Sequence, residues 1–187
     1  MEILLARHGE TEWSRDMRHT GLTDVPLTEE GRRQAERLRA LLGGRRFHRV
    51  LSSPLARALD TCRLAGLEAH AERSDALLEW DYGDYEGLTT VQIREERPGW
   101  FLWRDGCPGG ESAADVASRV DPLIEELRAQ PDDVALFAHG HVLRVLAARW
   151  IGLGPEGGAL LALSTATLSV LGYERETAVI RSWNVPT

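Results

Sequence analysis

The chain has 187 residues, 43% of them apolar and 27% charged, a composition typical of one globular domain. Its formal net charge of −7 argues against nucleic acid or an anionic membrane surface as the main partner. No long apolar run is present, so we predict neither a signal peptide nor a membrane span and expect a cytoplasmic protein. All 22 basic residues are arginine, so an anion site must be built from arginine, histidine and backbone N–H groups.

Short apolar runs alternate with helical patterns along the whole chain. In chain order we predict a strand over residues 2–6, a helix over 28–42, a strand over 47–51, a helix over 55–67, an irregular loop over 77–87, a helix over 89–97, a loop over 100–111, a helix over 112–129, a strand over 134–138, a helix over 142–151, and a hairpin of strands 166–173 and 179–183. Thr28 is the predicted N-cap of the first helix, which Gly43 ends. This order predicts an α/β fold of one domain, residues 1–187, with a sheet covered on both faces.

Histidine and arginine side chains follow three of the predicted strands. His8 comes directly after the first strand and His139 after a late one, and each is followed by a glycine that lets backbone approach a ligand closely. Arg57 follows the second strand. Open α/β sheets bind ligands at the carboxyl ends of their strands, so we expect these side chains to meet there. Together with Arg7 they form a set of cations and imidazoles that suits an anion.

Four segments resemble the histidine phosphatase superfamily, which includes the cofactor-dependent phosphoglycerate mutases. They are Arg7-His8-Gly9-Glu10-Thr11, Ser53-Pro54-Leu55-Ala56-Arg57-Ala58, residues 78–87 (LEWDYGDYEG) and Ala138-His139-Gly140. Residues 19–24, 79–87, 103–106 and 139–141 are similar to the sedoheptulose-1,7-bisphosphatase-like and broad acid phosphatase branches. The resemblance implies a three-layer α/β/α, phosphoglycerate mutase-like domain whose sheet is mostly parallel, with a C-terminal antiparallel hairpin.

The resemblance also implies roles for particular residues. His8 is expected to be the nucleophile and Glu79 the proton donor, while Arg7, Arg57 and His139 hold the phosphoryl oxygens. Further contacts to phosphate or substrate are expected from Ser14, Thr20, Gly21, Tyr82 and Gly140, and a contact to a second phosphate from Arg104. Ser14 and Thr20 depart from the residues that are common in the family at those places. Neither a metal nor a cofactor is expected.

These residue types suit phosphoryl transfer. A neutral imidazole is a good nucleophile near pH 7, and two arginines raise the cost of protonating it. The guanidinium fork also matches the equatorial oxygens of a transferring phosphoryl group. We therefore predict a phosphatase that hydrolyses small phosphomonoesters, in particular sugar phosphates or bisphosphates, through a phosphohistidine intermediate. The expected partner is a small phosphorylated metabolite.

Other functions stay open at this point. A cofactor-dependent phosphoglycerate mutase is the nearest alternative, although the mutases carry an insertion between the acid loop and the closing motif that this chain lacks. A metal-dependent hydrolase could use His139 and His141, and a non-catalytic phosphate-binding module would need only the anion site. The C-terminal hairpin around Trp183 could form a sheet edge that pairs two chains into a homodimer.

Overall fold

A single six-stranded sheet forms the centre of the protein. The computed structural model describes the backbone of residues 1–187 and every side chain except that of His70. The strands are β1 (Ile3–Arg7), β2 (Arg49–Ser52), β3 (Ala71–Arg73), β4 (Val134–Ala138), β5 (Leu168–Glu174) and β6 (Thr177–Val185). Their order across the sheet is β3-β2-β4-β1-β5-β6. The first four in this order are parallel, and β5 and β6 are antiparallel, which confirms the mostly parallel sheet with a C-terminal hairpin.

Seven helices connect the strands. They are α1 (Glu12–Arg15), α2 (Glu29–Leu42), α3 (Ala56–Leu64), α4 (Thr90–Glu96), α5 (Leu102–Asp105), α6 (Ala113–Arg128) and α7 (Gly140–Trp150). Short 3₁₀ segments occur at Glu68–His70, Asp75–Leu77, Gly83–Tyr85 and Pro155–Leu160. Among the residues described, no helix is both long enough and apolar enough to cross a bilayer.

Side chains on the two faces of the sheet form two separate layers of the hydrophobic core. Ile3 and Leu5 of β1 belong to the cluster that contains the buried faces of α6 and α7. Leu4 and Ala6, on the opposite face of the same strand, pack in a second cluster with residues of α2 and α3. Side chains point alternately to the two faces of a strand, so the apolar runs predicted as strands must be covered on both sides. The three-layer α/β/α architecture is confirmed.

Most predicted elements are present within one to three residues of their bounds. The strand over 134–138 and the N-cap Thr28 with its C-cap Gly43 are as predicted. The helix predicted over 142–151 begins two residues earlier, at Gly140. The carboxylate of Glu79, which is distant in sequence, accepts hydrogen bonds from the N–H groups in the first turn of this helix. Local patterns missed the short elements α1, α5 and β3.

Strand register brings the three predicted site segments to one edge. Arg7 at the end of β1 pairs with Ala138 at the end of β4, and Ser52 at the end of β2 pairs with Phe137. The N–H of His8 continues the ladder by donating to the carbonyl of Ala138, at 3.0 Å. Residues 8, 53 and 139 therefore leave neighbouring parallel strands at nearly the same level.

The loop after β1 is fastened to the helices of one layer. A Cβ at Gly9 would collide with the carbonyl oxygen of Gly31 in α2, so only glycine allows this close approach. The N–H of Gly9 donates to the hydroxyl of Thr61 in α3 at 3.1 Å, and that hydroxyl donates to the carbonyl of Arg57 at 2.7 Å. One buried threonine thus joins the His8 loop to the turn of α3 that bears Arg57.

Replacing Thr61 by valine tests this connection. The change keeps the shape but leaves the N–H of Gly9 buried without a partner, so we expect a loss of about 1–3 kcal/mol in the free energy of unfolding. Urea denaturation measures the loss, and Thr177→Val on the exposed start of β6 is the control, with an expected change within about 0.5 kcal/mol. Equal stability of the Thr61 variant and the native protein would show that the loop does not depend on this hydroxyl.

Candidate active site

A pocket of about 350 Å³ opens at the carboxyl ends of β1 and β4. Its lining combines charged, polar and apolar side chains: Arg7, His8, Ser14, Met17, Arg18, His19, Thr20, Glu79, Tyr82, Thr90, Gly140, His141, Arg144 and Leu163. This is the edge of a parallel sheet at which ligands are expected to bind. The pocket therefore lies where the ends of β1 and β4 come together.

His8 at the base of the pocket is held in one tautomer. Its Nδ1 lies 2.7 Å from the carbonyl oxygen of Gly9, and because a carbonyl only accepts, Nδ1 carries the proton. Burial, followed by the charges of Arg57 and Arg7, lowers the pKa of His8 well below its usual value. The imidazole is thus neutral at pH 7. Among the described side chains Nε2 has no partner, and it is not buried from solvent, so its lone pair is free to attack a ligand.

Arg7 offers an unused hydrogen-bond donor to the pocket. One terminal nitrogen, Nη1, donates to the carbonyl of Leu163, and Nε is buried without a partner. The other terminal nitrogen, Nη2, has no partner among the described residues and is not buried, so it reaches the pocket that Arg7 lines. Burial lowers the pKa of Arg7, although the guanidinium remains charged at neutral pH. An anion in the pocket would accept from Nη2.

Arg57 is fully buried and bound mainly by backbone carbonyls. Its terminal nitrogens donate to the carbonyls of Thr23 at 2.9 Å and Gly21 at 2.7 Å, and Nε donates to Nδ1 of His139 at 3.1 Å. Burial lowers its pKa, and no carboxylate among the described residues forms an ion pair with it. Glu79 and Asp24 act on this charge without an ion-pair contact, and the guanidinium lies next to the two histidines.

His139 lies beside His8, and both of its ring nitrogens have protein partners. The two ring centroids are 5.2 Å apart. Because Nδ1 accepts from Arg57, the proton of the neutral ring is on Nε2, which donates to the hydroxyl of Ser53 at 2.7 Å. Burial and then the charge of Arg57 lower the pKa of His139 well below its usual value. His139 thus links β4 to the start of the α3 segment and orients Arg57.

Glu79 brings a carboxylate to the same pocket. Its Oε1 accepts from the N–H groups of Trp80 and Val142, both at 2.9 Å, while Oε2 accepts only a shared bond from the N–H of His141 at 3.0 Å. These bonds place the carboxylate at the N-terminus of α7, where negative charge is favourable. Oε1 accepts more hydrogen bonds than Oε2, so Oε2 has room for a further hydrogen bond to a ligand.

Four further predicted residues lie at or near the pocket, and all four are bound to protein groups. Ser14 lines it, and its hydroxyl donates to the carbonyl of Thr11 at 3.0 Å, which closes the turn after His8. Thr20 also lines it, and its hydroxyl donates to the carbonyl of Arg18 at 3.2 Å. The carbonyl oxygen of Gly21 accepts a hydrogen bond from Arg57, and Gly21 does not line the pocket. Tyr82 lines the pocket wall and is almost fully buried.

The remaining two predicted residues differ in where they lie. Gly140 lines the pocket at the start of α7, where a Cβ would lie 3.3 Å from the guanidinium carbon of Arg7 and crowd it. Arg104 lies outside the pocket, with its side chain 65% exposed and bound to Asp105 and the carbonyl of Gly99. The structure thus does not place Arg104 where a second phosphate of a bound ligand would be.

Sequence reasoning missed Arg144 as a pocket residue. It follows Gly140 by four positions on α7, a spacing that places both residues on one face of the helix and could have identified it. Its guanidinium packs 4.6 Å from the ring of Trp103, donates to the carbonyl of Gly158 at 3.0 Å and forms no ion pair with a described carboxylate. Burial lowers its pKa. Arg144 therefore adds to the pocket a cation without an ion-pair partner, beside Arg7 and Arg18.

The ionisable side chains around the pocket are arranged differently from a metal site. Among the residues with described side chains, no group of three or more His, Cys, Asp or Glu is placed so that it could hold a metal ion. In the predicted pair His139 and His141, both ring nitrogens of His139 are bound to Arg57 and Ser53, and Nδ1 of His141 is bound to Tyr82. The donor set of the pocket is thus arginine, imidazole and a single carboxylate.

The fold and the pocket define an α/β protein with a cation-lined pocket beside a neutral histidine. The chain belongs to the histidine phosphatase superfamily (branch 1), whose sequence model matches residues 3–186. This finding confirms the family resemblance and, with it, the class of phosphomonoester hydrolases. The sequence therefore identified the family from four short motifs.

Individual relatives support the same placement. An acid phosphatase from Mycobacterium tuberculosis is 46% identical, covering 95% of this chain and 91% of its own length. A sedoheptulose 1,7-bisphosphatase from Saccharomyces cerevisiae is 36% identical over 82% of this chain and 68% of its own. A solved open reading frame product of Mycobacterium tuberculosis superimposes with a TM-score of 0.93 at 43% identity, covering 99% of this chain and 97% of that one.

Proposed function

We propose that the protein hydrolyses small phosphomonoesters in two steps, with a phosphoryl group carried transiently on Nε2 of His8. The observation that supports this most strongly is the pairing of a neutral His8, whose Nε2 is free, with the unpartnered Nη2 of Arg7 in the same pocket. A phosphoryl group satisfies both at once, because phosphorus accepts the lone pair while an equatorial oxygen accepts the N–H of Nη2. Covalent capture replaces one difficult displacement by two easier ones.

In the first step the lone pair of His8 attacks phosphorus and the bond to the ester oxygen breaks. Negative charge on the equatorial oxygens is stabilised by Arg7 and by the charge of Arg57. The leaving alkoxide takes a proton from Oε2 of Glu79 and departs as an alcohol. The products are phosphohistidine, the free alcohol and the Glu79 carboxylate.

In the second step water replaces the alcohol. The Glu79 carboxylate accepts a proton from this water as its oxygen attacks phosphorus, and the bond to Nε2 of His8 breaks. Inorganic phosphate leaves and the imidazole returns to its neutral state. His139 acts through Arg57, which it orients. A direct contact of His139 with a phosphoryl oxygen, as the family resemblance implies, would require Nε2–H to exchange the hydroxyl of Ser53 for that oxygen.

The substrate we propose is a sugar phosphate or sugar bisphosphate. Two of the relatives are named for sugar derivatives, a sedoheptulose 1,7-bisphosphatase and a glucosyl-3-phosphoglycerate phosphatase. A pocket of about 350 Å³ is at the small end of ligand sites and suits a metabolite of this size. For a second phosphate the pocket wall offers Arg144 and Arg18, whereas Arg104 lies outside the pocket.

The most direct test is a panel of sugar bisphosphates, sugar monophosphates, phosphoglycerates and an aryl phosphate, assayed for phosphate release with the native protein and with His8→Ala. We expect the native protein to release phosphate from sugar phosphates and the variant to lose about 10⁴-fold or more in kcat, because no nucleophile remains. Isomerisation of phosphoglycerates without phosphate release would instead assign the protein to the mutases.

Glu79→Gln tests the proton donor through the leaving group. A sugar alkoxide needs a proton in the transition state, whereas a nitrophenolate does not. We expect kcat/KM to fall about 10²- to 10⁴-fold for a sugar phosphate and far less for p-nitrophenyl phosphate. Steady-state kinetics on both substrates measure the difference, and equal losses on the two would remove Glu79 from the role of general acid.

Arg144→Gln and Arg104→Gln form a matched pair for the second phosphate. Arg144 lines the pocket and Arg104 does not. Loss of Arg144 is therefore expected to raise KM for fructose 1,6-bisphosphate about tenfold more than KM for fructose 6-phosphate, the effect of removing one charged hydrogen bond. The Arg104 variant is expected to match the native protein on both substrates within about twofold. The reverse outcome would restore Arg104 as the phosphate contact.

A further inference from the structure

Two histidines on the pocket wall have no part in phosphoryl transfer. His19 and His141 pack edge-on against the ring of Tyr82, with ring centroids 4.8 and 5.8 Å away. Both line the same pocket as His8. They lie on the wall that faces whatever is attached to the phosphoryl group, so their hydrogen-bonding state bears on which alcohol the pocket accepts.

The tautomer of His19 is fixed by the backbone. Its Nδ1 lies 2.8 Å from the carbonyl oxygen of Leu88, and because that oxygen only accepts, the proton is on Nδ1. Burial lowers the pKa of His19 below its usual value, so the ring is neutral at pH 7. Its Nε2 consequently carries a lone pair and is a hydrogen-bond acceptor.

The tautomer of His141 is the opposite one and is fixed by Tyr82. The phenolic oxygen of Tyr82 lies 2.6 Å from Nδ1 of His141 and has no other partner among the described residues. Burial raises the pKa of Tyr82 well above its usual value, so the phenol keeps its proton. Because Tyr82 is almost fully buried and its oxygen has no other partner among the described residues, donation to Nδ1 is the arrangement that satisfies this proton. Burial and then the charge of Arg144 lower the pKa of His141 well below normal. The neutral ring therefore has its proton on Nε2, which is a donor.

Both Nε2 atoms face the pocket. Neither has a partner among the described residues, and the only buried side-chain nitrogen or oxygen without a partner is Nε of Arg7. The two Nε2 atoms therefore reach solvent, and the pocket is the solvent-filled space that both rings line. The imidazole of His141 retains 23% of its side-chain surface exposed for such a contact.

We propose that His141 and His19 select a polyhydroxylated leaving alcohol, an inference that rests on the proposed phosphatase activity. Nε2–H of His141 donates to one hydroxyl oxygen, and Nε2 of His19 accepts from a hydroxyl group. A hydroxyl is the group that satisfies both, because it donates and accepts. A carboxylate or phosphate only accepts and would face the lone pair of His19. An alkyl chain would leave both nitrogens without a partner, at a cost.

The test compares two six-carbon phosphate esters, sorbitol 6-phosphate and n-hexyl phosphate. Both release a primary alcohol, and they differ in the hydroxyl groups alone. The readout is the ratio of kcat/KM for the two esters within each protein, which cancels differences in the amount of folded enzyme. We expect the native protein to favour the sorbitol ester, and His19→Phe and His141→Phe each to lower the ratio about three- to tenfold, as loss of one hydrogen bond predicts.

Tyr82 is a positioning residue in this proposal, and Tyr82→Phe tests it separately. The variant frees His141 to place its proton on either nitrogen, so we expect the ratio to fall about twofold, less than in the histidine variants. Nitrogen NMR of the His141 ring is expected to show the Nε2–H tautomer in the native protein and a mixture in the variant. His48→Phe, at an exposed histidine outside the pocket, is the control and is expected to keep the native ratio.

A native ratio near one would overturn the proposal, as would His19 and His141 variants in which both esters lose activity in parallel. Failure of the phosphatase assignment gives a different result, because then neither ester releases phosphate and the His8 variant equals the native protein. A ratio that falls in both histidine variants and not in the His48 variant supports the selection of hydroxyl groups by the pair.

Discussion

Arg7 on β1 pairs with Ala138 on β4, and the rest of the site follows from this register. The next residue on each strand is a histidine, so His8 and His139 leave the sheet side by side, with Nδ1 of His8 held by the carbonyl of Gly9. Because a register shift of one residue turns every side chain to the opposite face, the buried runs on both strands fix the position of the nucleophile. The chemistry is thus anchored in the most buried part of the core.

The arginines around the pocket lack the ion-pair partners that surface arginines have. Arginines on the surface, such as Arg49 with Glu72, form ion pairs, whereas Arg7, Arg57 and Arg144 form none with a described carboxylate. Burying cations without counter-ions lowers the stability of the fold, and the same field holds the nearby histidine uncharged. Buried guanidinium groups without ion-pair partners cost stability, and an anion bound in the pocket would offset that cost.

The sequence predicted the elements that carry their own local signals. The apolar run 134–138, the caps Thr28 and Gly43, and the four motifs were sufficient for the fold and for the family. It failed where partners are distant in sequence. The start of α7 at Gly140 depends on the carboxylate of Glu79, and the tautomers of His19 and His141 depend on Leu88 and Tyr82. The expectation for Arg104 failed for another reason. It rested on the family resemblance, whereas the guanidinium is bound to its neighbours Asp105 and Gly99 on the surface.

The central claim is that a neutral His8, with its proton on Nδ1, attacks phosphorus through Nε2. Rapid quenching of turnover in alkali, followed by phosphorus and nitrogen NMR of the isolated peptide, locates the bond directly. We expect a phosphoryl group on Nε2 of His8. Phosphorylation at Nδ1 or at another side chain, or turnover without any phosphoenzyme, would contradict it.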